Sequence, residues 1–182
     1  MTRTLVIGGA RSGKSAHAEA LATAAGKPVV YIATAQAGDA EMQARIAHHR
    51  ARRDSHWVTV EEMLALGAAI EKHSTPDNLV MVDCLTVWLS NLLFSEEKEF
   101  PEIGAIDAPA CFTEQRAAFL QALTQARGDV ILVSNEVGQG IVPQGAVSRW
   151  FVDEAGRLNQ AVAAVCERAV LIVAGLPLTL KG

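Results

Sequence analysis

Short apolar runs rich in β-branched residues recur along the chain, separated by longer alanine-rich segments with apolar residues three and four apart. This pattern predicts strands at 4–8, 29–33, 57–60, 79–83, 129–133, 169–174 and 176–180. It predicts helices near 14–25, 39–53, 61–73, 84–94, 110–127 and 147–166. Strands that alternate with helices favour an α/β fold, a mainly parallel sheet flanked by helices. The last two strands, joined at Gly175, predict a closing antiparallel hairpin.

Length and charge narrow the class of protein. At 182 residues and 50% hydrophobic composition, we expect one compact domain over residues 1–182. The net charge of -4 provides no basic surface for nucleic acid or an anionic membrane. The chain begins with a strand-like run, and Glu167 and Arg168 interrupt the last apolar stretch, so we expect no signal peptide or membrane span. Cys84, Cys111 and Cys166 match no metal-site spacing and indicate reduced thiols in a cytoplasmic protein.

One segment departs from the periodic pattern. Residues 95–109 are acidic, contain two prolines and a glycine, and show no clean period. We interpret this segment as a surface connection between two helices. A lid over a functional site is the alternative interpretation.

The sequence GGARSGKS follows the first predicted strand and opens the first predicted helix. It satisfies the phosphate-loop pattern G-x-x-x-x-G-K-[ST], in which backbone N–H groups and the helix N-terminus surround phosphate oxygens. The lysine reaches the β and γ phosphates, and the serine hydroxyl binds Mg²⁺. The pattern therefore predicts nucleoside triphosphate binding by Gly8, Gly9, Ala10, Arg11, Ser12, Gly13, Lys14 and Ser15.

A phosphate loop works with a carboxylate at the end of a neighbouring apolar strand. The stretch LVMVDC places Asp83 at such a strand end. We expect Asp83 to hold Mg²⁺ together with Ser15. The alternative makes Asp83 the N-cap of the following helix.

Two adjacent histidines lie among arginines in RIAHHRARR, residues 45–53. On a helix they point in different directions: His49 shares a stripe with Met42 and Ile46, and His48 shares one with Arg45 and Arg52. Because adjacent helical positions diverge, the pair is a poor metal site. We assign His49 to packing. His48 is either an exposed side chain or a neutral imidazole able to attack phosphorus.

Several motifs together resemble one known family. GGARSGKS, YIATAQ, EMQARIAHHRARR, DCLTVWLSNLL, VSNEVGQGIVP and DEAGRLNQ are similar to those of the bifunctional adenosylcobinamide kinase/adenosylcobinamide-phosphate guanylyltransferase of cobalamin biosynthesis. The resemblance runs from about residue 4 to the C-terminus and implies a P-loop NTPase architecture of the RecA-like type.

The resemblance implies two reactions with ATP and GTP as substrates and Mg²⁺ as cofactor. A nucleoside triphosphate phosphorylates adenosylcobinamide, and GMP from GTP then passes through a histidine to adenosylcobinamide phosphate, giving adenosyl-GDP-cobinamide. Matching positions make His48 the guanylylated residue and Lys14 the second catalytic residue. They assign nucleotide contacts to Thr34, Ala35, Arg50, Ala51, Arg52, Arg53, Glu61 and Asp83. A homotrimer is implied as well.

Other functions fit the phosphate loop taken alone. A small-molecule kinase of another pathway would use His48 merely as an anion contact. A RecA-like ATPase acting on DNA conflicts with the negative net charge. A nucleotide-binding regulator would release no pyrophosphate.

Overall fold

The chain folds around a seven-stranded sheet with helices on both faces. In the computed structural model, residues 1–35 and 56–182 are described. The strands are β1 (Arg3–Gly8), β2 (Val29–Ala33), β3 (Val58–Glu61), β4 (Leu79–Asp83), β5 (Asp129–Asn135), β6 (Arg168–Val173) and β7 (Leu176–Lys181). The helices are α1 (Lys14–Ala24), α2 (Leu66–His73), α3 (Leu85–Leu93), α4 (Ala110–Gln125) and α5 (Ala146–Val165).

The strand order is β3-β2-β4-β5-β1-β6-β7. The strands from β3 to β6 pair in parallel, and β7 pairs antiparallel with β6. Both the parallel sheet and the closing hairpin predicted from the sequence are confirmed. The carboxyl ends of β1, β4 and β5 therefore lie side by side at one edge, where open parallel sheets bind their ligands.

Apolar side chains bury both faces of the sheet. One face packs against α2, α3, α4 and α5, and its largest buried side chains include Trp88 and Phe119, whose ring centroids lie 5.0 Å apart. The opposite face packs against α1 through Ala18 and Ala22, over Tyr31 and Met81. The central strands are consequently fixed from both sides, and so are the loops at their ends.

Helix α2 begins later than the sequence pattern predicts. The periodicity favoured a helix over 61–73, but α2 begins at Leu66. The Glu62 carboxylate accepts hydrogen bonds from the backbone N–H groups of Leu64 and Ala65, at 2.9 and 2.7 Å. These bonds stabilise a turn and use donors that a helix would otherwise need, which delays its start.

The remaining boundaries agree with the predictions to within two residues. Residues 95–109 contain no helix or strand and connect α3 to α4, as predicted. The predicted helix at 39–53, with His48 and His49, lies outside the described residues. Among the helices that the structure describes, none is both long and apolar enough to cross a bilayer.

Candidate active site

The GGARSGKS segment forms a tight loop between β1 and α1. The Ser12 N–H donates to the Gly9 carbonyl at 3.2 Å, and the His17 N–H donates to the Gly13 carbonyl at 3.0 Å as α1 begins. Gly13 has φ 95°, a left-handed conformation that glycine adopts without a Cβ clash. The Gly175 N–H donates to the Ser12 carbonyl at 2.8 Å. The turn of the C-terminal hairpin thereby supports the loop.

Gly8 is required by close packing beneath the loop. A Cβ at this position would lie 2.5 Å from Ser12 Oγ and 2.6 Å from the carbonyl oxygen of Ile172. Because the contact to Ile172 is to the backbone of β6, a larger residue at position 8 would disturb the packing of the loop against that strand. Ser12 Oγ is buried and has no hydrogen-bond partner among the described residues.

Lys14 is a buried cation beside an acidic strand end. Its side chain is largely enclosed, with the residue 9% exposed, and Nζ donates to the Gly9 carbonyl at 3.1 Å. Burial lowers the pKa of Lys14, and the neighbouring Cys84 and Asp83 oppose that shift. A largely desolvated ammonium with one neutral oxygen acceptor gains more from a phosphate than a hydrated lysine would.

Asp83 is the last residue of β4, and its carboxylate is a neighbour of the Lys14 ammonium. The alternative interpretation of Asp83 as the N-cap of the next helix is wrong, because the N-cap of α3 is Cys84 and there is no side-chain cap hydrogen bond. The carboxylate of Asp83 is therefore not engaged as a cap. Burial raises the pKa of the adjacent Cys84 thiol to about 11, so this thiol is protonated at neutral pH and is a poor nucleophile.

Thr34 is fully buried at the end of β2 and holds the chain around Cys84. Its hydroxyl donates to the Cys84 carbonyl and accepts from the Cys84 N–H, both at 2.8 Å. The Thr34 N–H also donates to the Asp83 carbonyl at 3.2 Å. These bonds position Asp83 from the neighbouring strand.

The other predicted residues divide between this edge and the part of the chain that is not described. Glu61 ends β3, and Ala33 pairs with both Glu61 and Asp83 in the sheet register. The strand ends bearing Glu61, Thr34, Asp83 and the phosphate loop thus share one edge. His48 and the segment Arg50 to Arg53 lie outside the described residues.

A cleft that the sequence did not reveal lies at this same edge. It has a volume of about 430 Å³ and is bordered by the end of β2, the first two turns of α3, the end of β5 and α5. Its lining residues are Ala35, Thr86, Val87, Ser90, Asn91, Asn135 and Phe151. A second cleft of about 430 Å³ lies on the other flank of the loop, against residues 136–140 and 171–174.

Asn135 occupies its place in the first cleft through a buried polar network. Its N–H donates to Thr86 Oγ1 at 2.7 Å, and its carbonyl accepts from Asn159 Nδ2 at 3.2 Å. Asn159 Oδ1 in turn accepts from the Ser134 hydroxyl at 2.6 Å. The motif VSNEVGQGIVP had identified this strand end, but its packing against α3 and α5 depends on tertiary structure.

Comparison with known proteins points to one family. A family model described as cobinamide kinase / cobinamide phosphate guanyltransferase matches residues 4–180. The bifunctional adenosylcobalamin biosynthesis protein CobP of Pseudomonas aeruginosa is 52% identical over 180 residues, which cover 99% of this chain and 98% of that protein. The corresponding protein CobU of Escherichia coli is 41% identical over 179 residues, covering 97% and 98%.

The fold is shared more widely. An ATPase of the type III secretion system of pathogenic bacteria superposes with a TM-score of 0.53 at 12% identity, over 98% of this chain and 56% of that chain. At this identity the likeness concerns the fold alone, which is that of P-loop NTPases. The sequence match decides the family: the chain belongs to the cobinamide kinase / cobinamide phosphate guanyltransferase family of enzymes.

Proposed function

We propose that this protein carries out both reactions of its family, phosphorylation of adenosylcobinamide and transfer of GMP to adenosylcobinamide phosphate. The observation that carries the proposal is the buried Lys14, held inside a complete phosphate loop and beside Asp83 in a chain of this family. Such a cation is suited to a nucleoside triphosphate and has no evident structural partner of opposite charge in hydrogen-bond contact among the described residues.

In the kinase step the loop holds the triphosphate of ATP or GTP. Backbone N–H groups of residues 8–15 and the N-terminus of α1 face the phosphates, and Lys14 contacts the β and γ phosphates. The hydroxyl oxygen of adenosylcobinamide forms a bond to the γ phosphorus, while the bond from that phosphorus to the bridging oxygen breaks. The electron pair leaves with the nucleoside diphosphate, and the hydroxyl proton passes to water.

The same edge provides oxygen ligands for Mg²⁺. The Ser15 hydroxyl and the Asp83 carboxylate are hard donors of the kind this ion prefers. No group of three His, Cys, Asp or Glu side chains within residues 1–35 and 56–182 could enclose a metal, which suits an ion that keeps water and phosphate ligands. When bound, Mg²⁺ withdraws negative charge from the transferred phosphate. The hydrogen bonds of Thr34 keep Asp83 in position.

In the guanylyltransferase step we assign the nucleophile to His48. Its imidazole nitrogen forms a bond to the α phosphorus of GTP, and the bond to the bridging oxygen breaks with release of pyrophosphate. A phosphate oxygen of adenosylcobinamide phosphate then attacks the same phosphorus, and the nitrogen–phosphorus bond breaks. The proposed nucleotide contacts are Thr34, Ala35, Arg50 to Arg53, Glu61 and Asp83. Sequence similarity supports these assignments.

The proposal includes a homotrimer acting in the cytoplasm, again on the family resemblance. Light scattering coupled to size-exclusion chromatography measures the mass in solution. A mass of three chains is expected, and a monomer would contradict this part.

Labelling with GTP tests the function directly. Incubation with GTP carrying a label at the α phosphate is expected to leave one GMP on the protein, stable in base and labile in acid, located at His48 by mass spectrometry. The His48→Ala variant is expected to lose the label, and the matched His49→Ala variant to keep it. A His48→Ala protein that still accepts GMP would overturn the assignment. Absence of label in the unaltered protein, with phosphorylation of another small molecule, would favour a kinase of a different pathway.

A further inference from the structure

The first cleft, between β2, α3, β5 and α5, lies at the same edge of the sheet as the phosphate loop. Along the carboxyl edge of the sheet, Gly8 pairs with Asn135 in the register of β1 and β5. Asp83 lies on β4 and Ala35 follows β2, so the strand ends run from the phosphate loop to the cleft in steps of about 4.8 Å. A γ phosphate above the loop would have the cleft on its β5 and β4 side.

In-line transfer requires the acceptor on the side of the γ phosphorus opposite the leaving oxygen. Asp83, the last residue of β4, lies on the cleft side of the phosphate loop, since β4 follows β5 in the strand order that starts at β1. Thr86, on the first turn of α3 after β4, lines the cleft on this side. The other cleft lies across the loop, on the β6 side.

The chemistry of the lining fits a neutral, hydroxyl-bearing arm. Hydroxyl and amide side chains line one part of this cleft (Thr86, Ser90, Asn91 and Asn135), and apolar side chains line the rest (Ala35, Val87 and Phe151). None of these seven is ionisable. Among the described residues that line the cleft, the polar groups are therefore neutral hydrogen-bonding groups, and an alcohol can be hydrogen-bonded by them and partly desolvated at low cost.

The side-chain amide of Asn91 is held in an orientation in which its Oδ1 can accept a hydrogen bond from a ligand. Its Nδ2 donates to the carbonyls of Thr34 at 2.8 Å and Met63 at 3.1 Å. Since an amide nitrogen has two protons, both are used, and what Asn91 can present to a ligand is its Oδ1. A carbonyl oxygen held in this way accepts a hydrogen bond from an alcohol and orients its lone pairs. Asn135, whose Nδ2 lies 3.9 Å from Cys84 Sγ, supplies a weakly engaged donor nearby.

We propose that this cleft holds the neutral hydroxyl-bearing arm of the acceptor during the kinase step, with Asn91 as acceptor and Asn135 as donor toward it, while the rest of the corrinoid stays outside. The inference rests on the proposed function, because it names where that function's substrate is bound. The volume supports the division, since about 430 Å³ lies at the low end of pockets for drug-sized ligands. A corrinoid with its adenosyl group is larger than such ligands.

Filling the cleft tests the proposal without touching the phosphate loop. Ser90 lines the cleft, and the hydrogen bonds described for α3 include none from its side chain. The Ser90→Phe variant is expected to raise the KM for adenosylcobinamide by about tenfold or more, equivalent to about 1.4 kcal/mol. The KM for ATP is expected to stay within about twofold. Gln121→Phe adds the same ring to the exposed side of α4 as a matched control.

A second variant covers the case in which Ser90→Phe does not fold. Asn135→Ala removes the donor without adding bulk, and we expect it to raise the KM for adenosylcobinamide several-fold while the dissociation constant of a fluorescent ATP analogue is unchanged. If the unaltered enzyme phosphorylates adenosylcobinamide and a folded variant shows an unchanged KM, the cleft is not the acceptor site. If the unaltered enzyme has no such activity, it is the proposed function that fails.

Discussion

The two edges of the sheet differ in how completely their charged side chains are paired within the chain. At the amino edge, Asp129 accepts from the Thr2 N–H and from Lys27 Nζ, both at 2.7 Å. Arg3, 8% exposed, donates to the Glu167 carboxylate and to the carbonyls of Leu123 and Thr124 at 2.6–2.9 Å. Each of these charges has several partners within the chain, and together they join β1, β5, β6 and the end of α4.

At the carboxyl edge the pairing is much less complete. Lys14 is as buried as Arg3, but its ammonium contacts a single carbonyl in the described structure. Nearby, Ser12 Oγ is buried without a described partner. Charges at the amino edge therefore stabilise the fold, whereas the charge at the carboxyl edge is held at a cost that a bound phosphate offsets. Substitutions at the two edges are expected to separate stability from activity.

The largest expected effect is the loss of activity in Lys14→Met. Removal of a preorganised charge from a transferring phosphoryl group lowers kcat by roughly 10²–10³-fold. Because burial lowers the pKa of Lys14, the charged form is disfavoured in the folded state, and methionine is expected to preserve or raise the free energy of unfolding. Steady-state kinase assays and urea unfolding measure the two quantities. Lys72→Met, on the exposed side of α2, serves as the control, and a marked loss of stability in Lys14→Met would contradict the contrast between the edges.

The features at the carboxyl edge that could be predicted are those set by local sequence. The phosphate loop needs a strand, glycines and a helix in succession, and all of these are read from residues 4–25. Asp83 follows from the apolar strand before it. Neither inference depends on how distant segments pack.

The features that the sequence did not reveal depend on contacts between segments far apart in the chain. The hydroxyl of Thr34 is bonded to the backbone of Cys84, fifty residues later, and the local sequence around Thr34 does not indicate this contact. Asn91 reaches the carbonyls of Thr34 and Met63, and no periodicity along α3 contains that information. The late start of α2 has a similar cause at shorter range, because a Glu62 side chain competes with helix formation.

A smaller effect, on stability alone, is expected for Arg3→Met. The substitution keeps an apolar stem but leaves the carbonyls of Leu123 and Thr124 without their donor, and it removes the ion pair with the half-exposed Glu167. Lost hydrogen bonds to a charged group predict a decrease of about 2–3 kcal/mol in the free energy of unfolding. Kinase activity of the folded protein is expected to be unchanged. Arg168→Met, an exposed arginine at the start of β6, is the matched control; equal losses in the two variants would show that burial of Arg3 is unimportant.

The smallest effect concerns Asp129 and depends on pH. The hydrogen bond from Lys27, helped by the Thr2 N–H and the charges of Lys27 and the N-terminus, lowers the pKa of this carboxyl from 3.8. Because the folded-state pKa is the lower one, the stabilisation is complete well above pH 4 and is lost as the pH falls through the folded-state value. Asp129→Asn is therefore expected to lower the free energy of unfolding by about 1 kcal/mol at pH 7, with the difference shrinking toward pH 3. Asp77→Asn, in an exposed turn, controls for the substitution, and urea unfolding at the two pH values measures both. A deficit in Asp129→Asn that persisted at low pH would mean that the amino edge is stabilised by the shape of this side chain, with its charge contributing little.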